Sequence, residues 1–157
     1  MDEHNGLVYF YFDALHAIAT HRWVIEKSGG LPGVKNVSQL ESVLGHIQND
    51  GYYPEMVDKL CHLVFSINKS HPFNDGNKRS SIVLGAYFME LNGYGFAVKR
   101  FVLEMENIAV YVADNVVSKE LLREVIASLL YEDNYSENLK LALIDAISHE
   151  QTGTAIE

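Results

Sequence analysis

Residues 70–81 read SHPFNDGNKRSS, and they separate two segments with the apolar spacing of helices. The segment before them repeats apolar residues at helical intervals, namely Met56, Leu60, Leu63, Val64 and Ile67. Residues 74–76, Asn-Asp-Gly, are typical of a turn, and Asn77 is a favoured N-cap for a helix that starts at Lys78. The stretch is therefore predicted to be a polar loop that joins the ends of two helices.

The two basic residues after this turn stand in an unusual place. A helix N-terminus carries about half a positive charge, so Lys78 and Arg79 there should each cost a few tenths to about 1 kcal/mol. A phosphate held by the free N–H groups of the helix start, the Gly76 backbone and the two cations would remove that conflict. The alternative is a surface turn whose basic side chains point into water. The combination of features in the loop favours the anion site.

Two further side chains of the loop suit the same chemistry. A phosphate would repel Asp75 unless a divalent metal lay between them, and Mg²⁺ commonly joins one or two carboxylates to phosphate oxygens. His71 lies at the other side of the loop, and histidine is a general base near neutral pH. The residues alone therefore indicate a Mg-nucleotide site with His71 as the base.

The rest of the chain is rich in helix signals and poor in strand signals. We expect helices from about Tyr9 to Lys27, from a capping box at Ser38 to Asn49, from Pro54 to Asn68, from Lys78 to Leu91, over 101–116, over 119–132 after Ser118, and from Ser136 to His149. Residues 31–34 are predicted to form a turn or short flap, and residues 94–98 a short strand. The prediction is an all-α fold with one compact helical domain over residues 1–150, a small β-flap, and a flexible tail at 151–157.

Composition excludes several classes of protein. The 157 residues are 48% apolar, which suits one domain with one core, and they contain no apolar stretch long enough to span a membrane. The start of the chain lacks the basic region of a secretory signal, and Cys61 is the single cysteine, so the cytoplasm is the expected location. A net charge of −9 disfavours direct binding of nucleic acid. Residues 61–100 form a basic island with five basic and two acidic side chains, which suits a small anion, although chance scatter would also produce it.

The run HPFNDGNKR resembles the signature of the Fic/Doc (Fido) family, in which H-x-F-x-[D/E]-G-N is followed by Gly or Lys and then by Arg. Three other segments resemble the Doc (death-on-curing) branch in order and spacing: SGGLPG at 28–33, LESVL at 40–44 and LNGY at 91–94. The resemblance covers roughly residues 10–130. It implies a helical Fic/Doc domain that uses ATP and Mg²⁺ to modify a target protein.

The resemblance also implies a role for each residue of the loop. His71 would remove the proton from a hydroxyl group of the target protein, and Asp75 would hold Mg²⁺ on the nucleotide phosphates. Phe73 would anchor the loop in the core, and residues 31–37 would form the flap that aligns the target segment. The phosphates would be bound at the start of the next helix by Gly76, Asn77, Lys78 and Arg79.

Two positions distinguish kinase-like members of the family from AMP transferases. AMP-transferring members have glycine where this chain has Lys78 and a second arginine where it has Ile82, whereas Doc proteins share both features of this chain and transfer the γ-phosphate. The resemblance therefore implies a toxin of a toxin–antitoxin pair that phosphorylates a translation factor such as elongation factor Tu and is neutralised by an antitoxin peptide. The alternatives are a protein AMP or other nucleotidyl transferase, and a Fic-like binding module without catalysis. No nucleic-acid or membrane partner is expected.

Four other residues are predicted to have no part in catalysis. His16, His21 and His62 have the spacing of partly buried structural histidines. Residues 128–133, SLLYED, resemble the inhibitory S-x-x-x-E-[G/N] helix of self-inhibited family members but differ at the last position. The arginine with which Glu132 would pair is also missing at position 82, so self-inhibition is not expected.

Overall fold

The computed structural model describes residues 7–156, and it describes side chains for residues 7–149. Helices form the regular structure of these residues. The α-helices are α1 (Ala14–Ser28), α2 (Val37–His46), α3 (Met56–Ser70), α4 (Asn77–Leu91), α5 (Val98–Ala113), α6 (Lys119–Tyr131) and α7 (Glu137–Ile156). Within these residues no β-strand forms, and one isolated antiparallel bridge joins Val34 to Phe73. The all-α prediction is confirmed, and the predicted flap is an irregular segment attached to the loop by that bridge.

Side-chain caps set where the first two helices begin. Asp13 accepts a hydrogen bond from the His16 N–H at 2.9 Å, so α1 begins at Ala14 and not near Tyr9. Asn36 accepts from the Gln39 N–H at 3.0 Å, so the predicted capping box at Ser38 is wrong. In both cases a side-chain oxygen satisfies a free N–H of the first turn, which fixes the start of the helix.

The segment before α5 is helical instead of extended. Residues Gly95–Ala97 form a 3-10 turn that leads directly into α5, so the predicted strand at 94–98 is wrong. The Tyr94 N–H donates to the Met89 carbonyl at 2.8 Å, and the Ala97 N–H donates to the Tyr94 carbonyl at 3.0 Å. These local bonds satisfy the backbone without a partner strand.

Helix α3 is the centre of the core and packs against α2, α4, α5 and α6. The apolar residues predicted to face the core are all buried, with exposures of 0–2%: Met56, Leu60, Leu63, Val64 and Ile67. Burying each such side chain stabilises the fold by roughly 1.5–3 kcal/mol. Because α3 and α4 pack together as a hairpin, the loop at 71–76 is held between two rigid, buried helices.

Helix α6 runs antiparallel to α3. Near its start, Lys119 Nζ lies 2.9 Å from His62 Nδ1. One turn further on, the Arg123 guanidinium binds Asp58 at 2.7 Å and Glu55 at 3.5 Å, both at the start of α3. The C-terminal end of α6 therefore points away from the loop at 71–76.

Helix α7 packs on α6 and continues to Ile156, beyond its predicted end at His149. The side chains of residues 150–157 lie outside the described part of the chain, so the predicted domain boundary at 150 and the flexible tail at 151–157 stay predictions. None of the helices described is both long enough and apolar enough to cross a membrane.

Candidate active site

Left-handed residues at both ends give the loop between α3 and α4 its shape. His71 ends α3 with φ 51° and ψ 61°, and Gly76 precedes α4 with φ 71° and ψ 22°. Glycine adopts this conformation freely, whereas for other residues it costs roughly 1–2 kcal/mol. The His71 side chain is exposed, so the predicted base is accessible to a macromolecular substrate.

The Asn77 side chain holds the loop by hydrogen bonds to its backbone. Its Oδ1 accepts from the Phe73 N–H at 3.0 Å, and its Nδ2 donates to the Phe73 carbonyl at 3.0 Å. The same Nδ2 lies 3.4 Å from His71 Nδ1. Asn77 is the first residue of α4 and Gly76 is its N-cap, so the prediction of Asn77 as N-cap is wrong: its amide bonds back to the loop instead of to the helix.

Two stacked rings hold the loop from inside the protein. Phe73 is fully buried, as expected of an anchor, and its ring lies parallel to the His21 imidazole, with centroids 4.1 Å apart and 2° between the planes. His21 is 2% exposed and its Nε2 lies 2.7 Å from the Asp75 carbonyl oxygen. Sequence reasoning gave His21 only a structural role, because no local pattern in α1 indicates contact with a loop more than fifty residues later.

The flap lies against the outer side of the loop. The Lys35 N–H donates to the Pro72 carbonyl at 2.8 Å, and the Asn74 N–H donates to the Gly33 carbonyl at 3.1 Å. The Asn74 amide also donates to the Pro32 carbonyl at 3.1 Å. These bonds place residues 32–36 beside the loop that carries His71.

The Asp75 carboxylate is held in its charged form. It accepts from the Leu31 N–H at 3.0 Å and from the Gly76 N–H at 2.8 Å, and these two bonds, with Arg79 nearby, lower the pKa of Asp75. The side chain is 44% exposed, and each oxygen keeps a further lone pair for a ligand. Among the described residues no three His, Cys, Asp or Glu side chains are placed to hold a metal ion together, so a metal here would need phosphate oxygens and water as other ligands. Mg²⁺ is commonly held in this way, and the residues present fit it.

The start of α4 presents free backbone donors. The first hydrogen bond of the helix runs from the Ser80 N–H to the Gly76 carbonyl at 2.9 Å, which leaves the N–H groups of residues 77–79 without an acceptor in the helix. A Cβ added at Gly76 would lie 3.1 Å from Ile25 Cδ1 and 3.3 Å from Arg79 Nη2. The left-handed φ favours glycine here, and a Cβ would also be in tight contact with these two side chains.

The two basic residues of α4 have different surroundings. Lys78 is exposed, whereas the side chain of Arg79 is 35% exposed and lies between the end of α1 and Asp75. Arg79 Nη1 donates to Ser28 Oγ and, at 2.9 Å, to the Gly29 carbonyl, and its Nη2 lies 4.0 Å from Asp75. Ile82, one turn further along α4, is 6% exposed and belongs to the core. The loop thus brings the predicted site residues to one end of the hairpin, with Nε and Nη2 of Arg79 as remaining donors.

Residues 11–89, which are half of the chain, match the model of the Fic/DOC family, and they include α1, α2, the loop and most of the α3–α4 hairpin. The chain belongs to the Fic/DOC family. Within the family it is similar to "Protein kinase doc" of Escherichia phage P1, with 34% identity over 80 residues, which supports its assignment to the Doc branch. The matched region covers 48% of this chain and 63% of the phage protein, so the chain matches less than two thirds of that relative.

Proposed function

We propose that the protein is an ATP-dependent transferase that moves the γ-phosphate of ATP to a hydroxyl side chain of a target protein. The observation that carries the proposal is the Asn77 side chain at the start of α4, which binds the Phe73 backbone at 3.0 Å and lies 3.4 Å from the exposed His71. A proton acceptor and a phosphate-binding helix start thereby share one rigid loop. The name of the phage relative, a protein kinase, supports the same reaction.

His71 is the proposed general base, and Asn77 indicates which of its nitrogens accepts the proton. Because the Asn77 Oδ1 accepts from Phe73, its Nδ2 can only donate, and the nitrogen that faces it, His71 Nδ1, carries a lone pair. The contact of 3.4 Å is too long for a strong hydrogen bond, so a substrate hydroxyl can displace it. Apo geometry of this kind is common for catalytic bases.

The phosphates are proposed to bind at the start of α4. The N–H groups of residues 77–79, the positive end of the helix and the Arg79 guanidinium all favour an anion there. The ionised Asp75 beside them would hold Mg²⁺ on its exposed side. A bound Mg²⁺ would offset the charge of the phosphate oxygens.

The proposed transfer of the γ-phosphate needs one base, which is His71. The hydroxyl oxygen of the target forms a bond to the γ-phosphorus while the bond from that phosphorus to the bridging oxygen of ADP breaks. The hydroxyl proton moves to His71 Nδ1, and ADP leaves. His71 therefore fixes where the target hydroxyl lies, and the binding of the triphosphate decides which phosphorus reacts.

Lys78 and Ile82 favour transfer of the γ-phosphate. Lys78 adds a long basic side chain where AMP-transferring relatives have glycine, and the buried Ile82 offers no charge to distal phosphates. The β- and γ-phosphates then lack a deep site, so the γ-phosphorus is expected to face His71. Loss of both features would favour attack at the α-phosphorus.

The biological setting that we propose is that of a Doc-like toxin acting in the cytoplasm. The proposed target is a translation factor such as elongation factor Tu, and the proposed inhibitor is an antitoxin peptide from another chain. The name of the phage protein, a protein kinase, supports a protein target. The antitoxin is proposed from the resemblance to the Doc branch.

Labelled ATP tests the reaction. The protein is incubated with a target lysate and either γ-labelled or α-labelled ATP, with His71→Ala as the matched control. We expect label on protein from the γ position alone and no label with the control. Label from the α position would overturn the kinase proposal and indicate an AMP transferase.

A further inference from the structure

His21 lies outside the loop, yet among residues 7–149 it is the only residue whose side chain makes a hydrogen bond to the Asp75 carbonyl. It comes from α1, it is 2% exposed, and its ring is clamped against Phe73 by parallel stacking at 4.1 Å. Because a carbonyl oxygen only accepts, His21 Nε2 must carry the proton of the 2.7 Å contact. The buried ring is thus a fixed donor aimed at the backbone of the loop.

The Asp75 carbonyl is also the acceptor that α4 would need to begin one residue earlier. In a helix each N–H donates to the carbonyl four residues before it, so the partner of the Arg79 N–H would be Asp75. In the described structure α4 instead begins with the bond from Ser80 to Gly76, and the Asp75 carbonyl accepts from His21. The Arg79 N–H therefore joins those of residues 77 and 78 as a donor without a helical acceptor.

We propose that His21 is a positioning residue of the nucleotide site. Its Nε2–H holds the Asp75 carbonyl, and this keeps the Arg79 N–H available for a phosphate oxygen. The same bond fixes the peptide between Asp75 and Gly76, whose N–H binds the Asp75 carboxylate at 2.8 Å. The inference rests on the proposed function, because it assigns His21 to the phosphate-binding part of that site.

Two substitutions distinguish the hydrogen bond of His21 to the Asp75 carbonyl from the packing of its ring against Phe73. His21→Phe keeps a ring beside Phe73 but removes the donor, and His21→Gln keeps a donor near the position of Nε2. In His21→Phe the Asp75 carbonyl is released and, with Gly76 turning from its left-handed to a helical conformation, accepts the Arg79 N–H. We expect the Arg79 amide to exchange at least tenfold more slowly in the nucleotide-free protein, measured by NMR, and Mg-ATP to bind at least tenfold more weakly by isothermal titration. His21→Gln should return both values to within threefold of wild type.

The outcomes distinguish this proposal from the proposed function. A folded His21→Phe with unchanged Arg79 exchange or unchanged Mg-ATP affinity would overturn the role of His21. If that variant does not fold, the wild type decides: a slowly exchanging Arg79 amide without nucleotide overturns the proposal, and fast exchange that slows on adding Mg-ATP supports it. Wild-type protein that binds no Mg-ATP would overturn the proposed function instead, while the exchange data would still report on the helix start.

Discussion

Helix α3 carries His62 on its buried side and ends at His71, and the fold gives the two histidines opposite surroundings. His62 is 8% exposed, with its Nε2 at 3.2 Å from His46 Nδ1, and the Tyr53 ring lies 4.3 Å from its own. His71 is exposed in a left-handed turn, with one long contact to Asn77. The comparison shows that residue type alone does not separate the two histidines. Exposure beside the free N–H groups at the start of α4 is what makes His71 the candidate base.

Burial and positive neighbours keep His62 uncharged. Burial first, then Lys119 and His46, lower the pKa of His62 to about 4. Lys119 Nζ donates to His62 Nδ1 at 2.9 Å, so the proton of the neutral ring is on Nε2, facing His46. The ring holds α2, α3 and α6 together, which confirms the structural role predicted for His62.

The largest expected effect is the loss of transfer in His71→Ala. General-base catalysis contributes roughly 10²–10⁴-fold, and the base contacts the target hydroxyl and not the nucleotide. We therefore expect the rate of γ-phosphate transfer to fall by at least that factor while Mg-ATP affinity stays within twofold. Phosphate transfer and isothermal titration measure the two quantities.

The buried histidine supplies the control for this experiment. His62→Gln should keep the transfer rate per folded molecule within threefold of wild type, because His62 faces α2 and α6 and not the loop. The comparison between the two histidines fails if His71→Ala transfers phosphate at the wild-type rate, or if His62→Gln loses transfer while fully folded.

The second prediction concerns stability at low pH. The pKa of His62 falls from 6.5 in the unfolded chain to about 4 in the folded protein, so the unfolded chain takes up the proton first as the pH falls. The contribution of neutral His62 to stability is complete above pH 6.5. As the pH falls from 6.5 to 4 this contribution is lost, and the free energy of unfolding falls by about 3 kcal/mol. Urea unfolding of wild type and His62→Gln at several pH values measures it. Equal pH dependence of the two proteins would show that His62 is not held neutral.

The third prediction tests the cation at the loop. Arg79→Ala should weaken Mg-ATP binding by roughly 10- to 150-fold, since hydrogen bonds to charged groups contribute about 1.5–3 kcal/mol. Arg123→Ala is the matched control, because Arg123 pairs with Glu55 and Asp58 near the start of α3, far from the loop. Isothermal titration compares the two. Equal affinity in both variants would place the phosphate site elsewhere.

Much of the structure around the two histidines could be predicted from the sequence. The apolar spacing of α3 predicted its buried residues, and the run from His71 to Arg79 predicted a loop between α3 and α4. The chemistry assigned to that loop stays a prediction. The assignment of Asn77 as N-cap was wrong because cap preference describes a local choice, whereas its amide is used across the loop by Phe73. The contact of His21 with the loop could not be predicted, because it depends on how α1 packs against α4 and no local pattern encodes that packing.

The smallest expected effect is that of Glu132→Gly. It tests whether a carboxylate at the end of α6, beside the start of α3, influences the loop at the other end of α3. Glu132 follows the last residue of α6, and its backbone is fixed by the Arg100 guanidinium, which donates to its carbonyl at 2.8 Å. Since α6 runs antiparallel to α3, this position lies beyond Glu55, and the length of α3 alone separates it from His71 by roughly 20 Å. A carboxylate there cannot reach the phosphates or the base. We expect the γ-phosphate transfer rate of Glu132→Gly to stay within twofold of wild type, measured on the same labelled substrate as for His71→Ala. A tenfold gain in that rate would show that the chain inhibits itself, and that the SLLYED segment acts on the loop in a conformation different from this one.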